Sequence, residues 1–152
     1  IVVGQGDVLV TPLQLAQFAG MLAQRGTQFE PHFVNRVVSK NGDVIEENIS
    51  QSRDRVTASK DSWDFVHQAM WDVVNGKKGT ARAARQKDWE IYGKTGTAQN
   101  PHGEDHAWFI GFSLDERYPY SWAVLLENGG GGGGIAAPLI GKILRNIAKR
   151  PS

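Results

Sequence analysis

Apolar residues recur at helical spacing in three separate segments of the chain, and each segment predicts a helix with one buried face. Thr11 can cap the first segment and Gln14 can complete a capping box, so a helix is predicted over residues 12–24. The second segment predicts a helix over 60–75, and the third predicts a helix that begins near residue 138. The apolar positions behind these predictions are Leu15, Phe18, Leu22, Trp63, Val66, Met70, Val73, Val74, Leu139, Ile140, Ile143, Leu144 and Ile147.

Shorter apolar runs predict β-strands. Residues 33–38 and 43–45 flank Asn41-Gly42, which is a strong hairpin signal. The polar stretch 46–56 is interpreted as a surface connection. Three further strands are predicted in the second half, and the short turn-forming link between the last two favours antiparallel neighbours. Their ranges are 89–95, 106–113 and 121–127. Two helices and a hairpin followed by three strands and a helix predict an α+β fold.

Composition and charge exclude several classes of protein. The 152 residues are 40% hydrophobic and 22% charged, as in a globular domain with its own core. A net charge of +1 gives no reason to expect nucleic acid or an anionic membrane surface as a partner. The absence of cysteine excludes disulfides and thiolate catalysis. No apolar run reaches the roughly 18 residues that span a bilayer. Because the chain opens on Ile1 without a leader, we expect it to begin inside a larger protein, with any anchor upstream.

The run Gly93–Gln99 lies at the end of a predicted strand and offers groups suited to acyl transfer. A strand edge presents unpaired backbone groups with which a peptide substrate can pair. Gly96 permits close approach of that substrate, and the backbone N–H that follows can help to form an oxyanion hole. Thr95 and Thr97 offer hydroxyls to a carboxylate, and Lys94 adds a fixed positive charge. The alternative interpretation is an exposed strand end with an incidental lysine.

Three further motifs surround the Lys-Thr-Gly run. Gly4–Ala16 holds a Gly-Gln-Gly loop ahead of a helix, and Gly79-Thr80-Ala81 precedes the motif strand. Glu127–Gly130 and Ala136–Pro138 form a strand end, a glycine loop and a helix start. Penicillin-binding proteins share the Lys-Thr-Gly motif with serine β-lactamases. Because these motifs occur here together and in this order along the chain, the chain resembles class B penicillin-binding proteins, most closely elongation-type penicillin-binding protein 2. The resemblance implies that residues 1–152 are the C-terminal portion of a transpeptidase domain, whose N-terminal part, pedestal and anchor are absent.

The resemblance implies the penicillin-binding and serine β-lactamase-like fold, with a five-stranded antiparallel sheet flanked by helices, here as a partial domain. The Lys94 strand would be an edge strand that lines the active site, and the last helix would pack on the sheet. The implied enzyme is a D,D-transpeptidase. Its serine attacks a D-Ala-D-Ala stem peptide, releases D-Ala and passes the acyl group to an amine on a neighbouring peptidoglycan strand. β-Lactams would acylate the same serine, and no cofactor is implied.

The resemblance also assigns roles to single residues. Lys94 corresponds to the lysine that orients the substrate and joins the proton-transfer network, and the Thr97 N–H corresponds to an oxyanion donor. Thr95 and Thr97 correspond to residues that hold the substrate or β-lactam carboxylate, beside Gly96. Trp108 either lines the groove or joins the core. The implied partners are stem peptides, β-lactams and a SEDS-class glycan polymerase, at the outer face of the bacterial cytoplasmic membrane.

The chain lacks two of the family's three catalytic motifs, because no serine is followed by lysine three positions later and its one match to Ser-x-Asn is interpreted as chance. Thr57-Ala58-Ser59-Lys60 imitates Ser-x-x-Lys at a helix start and is interpreted as a cap. Ser39-Lys40-Asn41 matches Ser-x-Asn but overlaps the predicted hairpin turn. We therefore expect the chain alone to be inactive, with the nucleophile upstream. The alternatives for the whole protein are a penicillin-recognising sensor and a cell-wall scaffold of the same fold.

Two other segments suggest different chemistry. His102 and His106 flank Glu104 and Asp105, which suggests a metal site, but the spacing is loose and favours a solvated loop. Residues 129–134 are all glycine, without the Gly-Lys-Ser/Thr ending of a phosphate loop. They are interpreted as a flexible turn beside the site.

Overall fold

The computed structural model describes Gln5 and residues 8–149, and it has the mixed helix and antiparallel-strand architecture that the sequence predicts. The first half holds two helices and four short strands, and the second half holds three longer strands and a helix. The elements are α1 (Pro12–Ala23), β1 (Thr27–Phe29), β2 (Arg36–Val38), β3 (Val44–Glu47), β4 (Ser52–Arg55), α2 (Lys60–Asn75), a 3-10 turn (Arg82–Ala84), β5 (Ile91–Ala98), β6 (His106–Ser113), β7 (Ser121–Leu126) and α3 (Ala136–Ala148). The predicted α+β class is confirmed.

The capping residues fix the starts of α1 and α2. The Gln14 N–H donates to Thr11 Oγ1 at 3.2 Å, and the Thr11 N–H donates to Gln14 Oε1 at 2.8 Å, which confirms the capping box. The Ser62 N–H donates to Ser59 Oγ at 3.1 Å, so Ser59 caps α2 as predicted. Among the described helices, none is long and apolar enough to cross a membrane.

The strands β5, β6 and β7 form one antiparallel sheet in that order, and the predicted antiparallel pairing of the last two is confirmed. Ile91 to Ala98 pair with Ser113 to His106 without a break in register. The second ladder runs from Ala107, opposite Leu126, to Phe112, opposite Ser121. The described part of the chain thus supplies three strands of the larger sheet that the family resemblance implies.

The bounds of β5 differ from the predicted range of 89–95. Trp89 lies before the strand, where it is buried and packs against Tyr118 with ring centroids 4.6 Å apart. At its other end the strand continues to Ala98, because backbone pairing with β6 extends to His106. Backbone pairing does not need apolar side chains, so the apolar pattern ends before the strand does. The helix α3 likewise begins at Ala136, two residues before the predicted start.

The two faces of the sheet pack against different helices. Phe109 and Trp122 form a buried cluster with Ile140 and Leu144 of α3, so the last helix packs on the sheet as expected. Phe109 is fully buried, and burial of such a side chain contributes about 1.5–3 kcal/mol to stability. On the opposite face Gly20 of α1 lies against Ser121, where an added Cβ would meet its Oγ at 3.1 Å.

The buried face of α2 includes a histidine that the apolar pattern missed. His67 is buried with Trp63, Met70 and Val74. Its Nε2–H donates to Leu22 O at 2.8 Å, and its ring lies 5.3 Å from the ring of Phe112. Because the polar ring nitrogen has a partner, the imidazole is accommodated in the core and ties α2 to α1.

The segment between α1 and α2 contains two separate strand pairs. The predicted hairpin is confirmed, because β2 pairs with β3 around a turn in which Gly42 has φ +91°. The interpretation of 46–56 as a plain connection is wrong, because β3 extends to Glu47 and β4 pairs with β1. An ion pair of 2.5 Å between Arg53 and Glu30 joins this second pair. The strand β4 is polar, so hydropathy gave no signal for a pairing across more than 20 residues.

Candidate active site

The Lys-Thr-Gly motif lies in the second half of β5, which is an edge strand in the described part of the chain because it pairs there with β6 alone. Ile91 O accepts a hydrogen bond from Asn75 Nδ2 at 3.0 Å, and the Gln99 N–H donates to Gln5 Oε1 at 3.1 Å. Both partners lie outside the sheet. Since backbone direction alternates along an antiparallel strand and the register is unbroken, Thr95 and Thr97 also direct their backbone groups away from β6.

The Lys94 side chain lies at this outer edge. It is exposed, and its Nζ donates to Thr95 O at 2.6 Å. Lys94 and Gly96 pair with Ile110 and Trp108, so they lie on the sheet face opposite α3. The structure therefore brings a cation to the same edge as the outward backbone of Thr95 and Thr97. Of the Gly-Gln-Gly run, Gln5 alone lies within the described residues.

The hydroxyls of Thr95 and Thr97 lie on the other face, because these residues pair with Phe109 and Ala107 of the α3 side. Thr95 Oγ1 is 2.9 Å from Oγ1 of Thr80, which lies in the turn after α2. Thr97 Oγ1 accepts a hydrogen bond of 3.4 Å from the Gly132 N–H. Neither contact was predicted, because each joins residues that are distant in the sequence.

The glycine loop, residues 129–134, packs directly on the motif. A Cβ added to Gly132 would lie 2.3 Å from Trp108 O and 2.4 Å from Gly96 O, so no other residue fits there without a shift. A Cβ added to Gly133 would lie 2.6 Å from Thr80 O. The sequence predicted a turn beside the site, and the structure shows that its glycines allow close approach to the motif strand.

Trp108 lies beside Gly96 on the same face as Lys94 and is half-buried. A Cβ added to Gly96 would lie 3.2 Å from the Trp108 Cβ. The indole therefore borders the motif strand without belonging to the buried cluster around Phe109. A half-buried position beside the motif strand is compatible with both predictions for Trp108, as a residue that lines the substrate groove and as part of the core.

The loop between β5 and β6 holds the histidines and carboxylates that suggested a metal site. His106 Nδ1 accepts a hydrogen bond of 3.0 Å from the Asn128 N–H. Asn100 Nδ2 donates to Asn128 Oδ1 at 2.7 Å, which joins this loop to the start of the glycine loop. In the described residues, no group of three or more His, Cys, Asp or Glu side chains is placed to hold a metal ion. The metal interpretation thus gains no support.

Two serines lie in the segments that imitate catalytic motifs, and the hydroxyls of both are engaged in local structure, while Thr57 holds the position of the nucleophile in the first segment. Ser59 Oγ caps α2, as described above. Ser39 Oγ accepts hydrogen bonds from the Asn41 N–H at 3.2 Å and from the Asp43 N–H at 3.1 Å, inside the β2–β3 turn. Their hydroxyls accept from backbone donors at a helix start, where a cap was predicted, and in the predicted hairpin turn.

Fold and site together define a class of protein. Among the described residues, an antiparallel sheet with a helix on each face carries Lys-Thr-Gly on an edge strand, beside a glycine loop. The chain matches the family model of the penicillin binding protein transpeptidase domain over residues 1–145. The chain belongs to this family.

Individual relatives agree with this assignment. The peptidoglycan D,D-transpeptidase MrdA of Haemophilus influenzae is 32% identical over 93% of this chain, which spans 24% of that protein. The structure of Pseudomonas aeruginosa PBP2 in complex with WCK 5153 is 34% identical with a TM-score of 0.76, covering 97% of this chain and 31% of that one. The imipenem acyl-enzyme of Mycobacterium tuberculosis penicillin-binding protein A is 25% identical with a TM-score of 0.78, covering 95% and 32%. The predicted resemblance to penicillin-binding protein 2 is confirmed.

Proposed function

We propose that this chain is the C-terminal part of the transpeptidase domain of a peptidoglycan D,D-transpeptidase. A serine elsewhere in the whole protein attacks the D-Ala-D-Ala stem peptide, D-Ala leaves, and an amine of a second stem peptide takes the acyl group. The chain contributes the Lys-Thr-Gly strand. Its lack of Ser-x-x-Lys is consistent with its spanning 24% of the related MrdA protein.

The outward backbone of β5 carries this proposal. In the described residues β5 has a partner strand on one side only, and Thr97 directs its N–H to the other side. An extended stem peptide can pair with that edge as an added strand. The Thr97 N–H then serves as one oxyanion donor, and the N–H of the nucleophilic serine serves as the second. Gly96, with no side chain, lets the substrate lie close to the strand.

The remaining site residues surround the same edge. Lys94 places its ammonium beside Thr95 O, where it orients the substrate and joins the proton-transfer network. The hydroxyls of Thr95 and Thr97 bind the terminal carboxylate of the substrate or the carboxylate of a β-lactam. Trp108, next to Gly96 on the Lys94 face, forms part of the groove wall.

The proposal also covers the cellular location and the partners of the whole protein. The reaction takes place on peptidoglycan, so the domain works at the outer face of the bacterial cytoplasmic membrane, attached through an anchor in another part of the protein. A SEDS-class glycan polymerase and other elongation proteins are the proposed partners. Support for this setting comes from the similarity to MrdA and PBP2.

Covalent labelling tests the proposal. The complete protein and this chain are each incubated with a fluorescent penicillin and examined by intact mass, with an excess of unlabelled penicillin as the competition control. Because the β-lactam ring opens without a leaving group, the adduct adds the full mass of the penicillin. A labelled complete protein with an unlabelled chain is expected. An unlabelled complete protein would favour the scaffold alternative, and a labelled chain would place the nucleophile within these 152 residues.

A further inference from the structure

Thr80 lies next to the part of the motif strand where the carboxylate is proposed to bind. Its Oγ1 is 2.9 Å from Oγ1 of Thr95. We propose that Thr80 is a positioning residue: it donates its hydroxyl hydrogen to Thr95 and so directs the Thr95 hydroxyl hydrogen toward the carboxylate. This inference rests on the proposed function. It adds the residue that determines in which direction the Thr95 hydroxyl donates its hydrogen.

The number of hydrogens decides which of the two hydroxyls donates. Each threonine hydroxyl has one hydrogen to donate and lone pairs that accept, whereas an ionised carboxylate accepts only. If Thr95 donated to Thr80, it would present lone pairs to the anion and repel it. If Thr80 donates, the Thr95 hydrogen is free for the carboxylate. Binding of the anion therefore selects the second arrangement, and the two bonds in series polarise each other.

The residues on either side of Thr80 explain why its side chain reaches β5. A Cβ added to Gly79 would lie 2.3 Å from Val73 O, so this position needs glycine for its contact with the end of α2. The Ala81 N–H donates to Val73 O at 2.9 Å, and Ala81 is fully buried. Both neighbours are thus packed against α2, and the middle residue is left to face the motif strand. The Gly-Thr-Ala run acquires a physical role at each of its positions.

The glycine loop holds Thr80 from the other side. Gly133 lies so close to Thr80 O that an added Cβ would come within 2.6 Å. The neighbouring Gly132 N–H donates to Thr97 Oγ1. Thr80 is therefore fixed between α2 and this loop before any ligand binds. A donor held in place in this way needs little further ordering when the carboxylate arrives.

The test compares acylation of the complete protein by benzylpenicillin and by its methyl ester, which lacks the carboxylate charge. The measured quantity is the second-order rate constant of acylation, followed by mass. Thr80→Val keeps the shape of the side chain and removes the hydroxyl, whereas Thr80→Ser keeps the hydroxyl. Thr57→Val makes the same change at an exposed threonine ahead of α2 and serves as the matched control.

We expect Thr80→Val to slow acylation by the free acid about three- to tenfold, the effect of one lost hydrogen bond. Acylation by the ester should change by less than about twofold, as should acylation of Thr80→Ser by the acid. In a Thr95→Val background, Thr80→Val should have no further effect, because the hydroxyl through which it acts is gone.

Two results would overturn the inference while leaving the proposed function intact. Equal losses in Thr80→Val and Thr80→Ser, or equal losses with acid and ester, would mean that Thr80 acts through packing alone. Absence of any acylation in the unmodified complete protein would instead contradict the proposed function, and the inference would fail with it.

Discussion

The sheet β5–β7 and the segment between α1 and α2 are built from the same kinds of element but differ in how they are held. In the sheet, β5 and β6 pair over eight residues without a break in register. In the other segment the strands are three or four residues long, and both pairs contain a register shift. Phe109 of the sheet is fully buried, whereas Phe33 of the segment is 96% exposed.

The difference shows where a site of fixed geometry can be placed. Isolated two-stranded pairs are at best marginally stable in water, and every residue of β2 and β3 is exposed. The motif strand is instead fixed by β6, by α2 through Asn75, and by the glycine loop. A site that must keep catalytic groups within a fraction of an ångström benefits from such a rigid element. Matched changes in the two regions should therefore differ sharply in their effect.

The largest difference is expected for removal of a phenylalanine ring. Phe109→Ala leaves a cavity between the sheet and α3 and should lower the free energy of unfolding by about 3–5 kcal/mol. Phe33→Ala, at an exposed ring, should change it by less than about 0.5 kcal/mol. Urea unfolding of the complete protein, followed by tryptophan fluorescence, measures both. Similar losses in the two variants would mean that Phe33 is covered in the complete protein, and the comparison would fail.

A smaller difference is expected for removal of a lysine side chain, and the quantity affected is the rate of acylation. Lys94→Ala should slow acylation of the complete protein by penicillin on the order of 100-fold, because water does not replace a preorganised charge at the strand edge. Lys40→Ala removes another exposed lysine, in the β2–β3 turn, and should leave the rate unchanged. An unchanged rate in Lys94→Ala would contradict the role proposed for this residue.

Sequence reasoning succeeded where local chemistry decides the structure. The capping pattern at Thr11 and Gln14 gave the start of α1, and Asn41-Gly42 gave the β2–β3 hairpin. The Lys-Thr-Gly run was correctly assigned to a strand, and the functional roles of its residues stay predictions. In each case the signal and the structure that it specifies lie within a few residues of one another.

Prediction from the sequence failed where the decisive contact joins distant parts of the chain. The pairing of β4 with β1 has no hydrophobic signature, and β5 extends past its apolar positions because β6 supplies the pairing. The contact of Thr80 with Thr95 depends on how α2 meets the sheet. The same holds for the buried His67, whose polar nitrogen is acceptable in the core because Leu22 O accepts from it.

The glycine loop permits the most closely matched comparison, between adjacent residues of identical type. A methyl group added at Gly132 would meet the carbonyl oxygens of Gly96 and Trp108, while one added at Gly131 would meet nothing within 4 Å. Gly132→Ala should therefore displace the loop from the motif strand and lower the free energy of unfolding by about 1–3 kcal/mol. It should also slow acylation by penicillin, because the Gly132 N–H would lose its bond to Thr97 Oγ1.

Gly131→Ala should leave both stability and acylation near those of the unmodified protein. The two substitutions restrict the unfolded chain equally, so any difference between them reports the folded contact alone. Thermal unfolding and acylation of the complete protein give the two measurements. Equal behaviour of the two variants would mean that the loop does not rest on Gly96 in the complete protein. A loss confined to Gly132→Ala would show that close backbone approach, which no other residue permits there, keeps the loop against the motif strand.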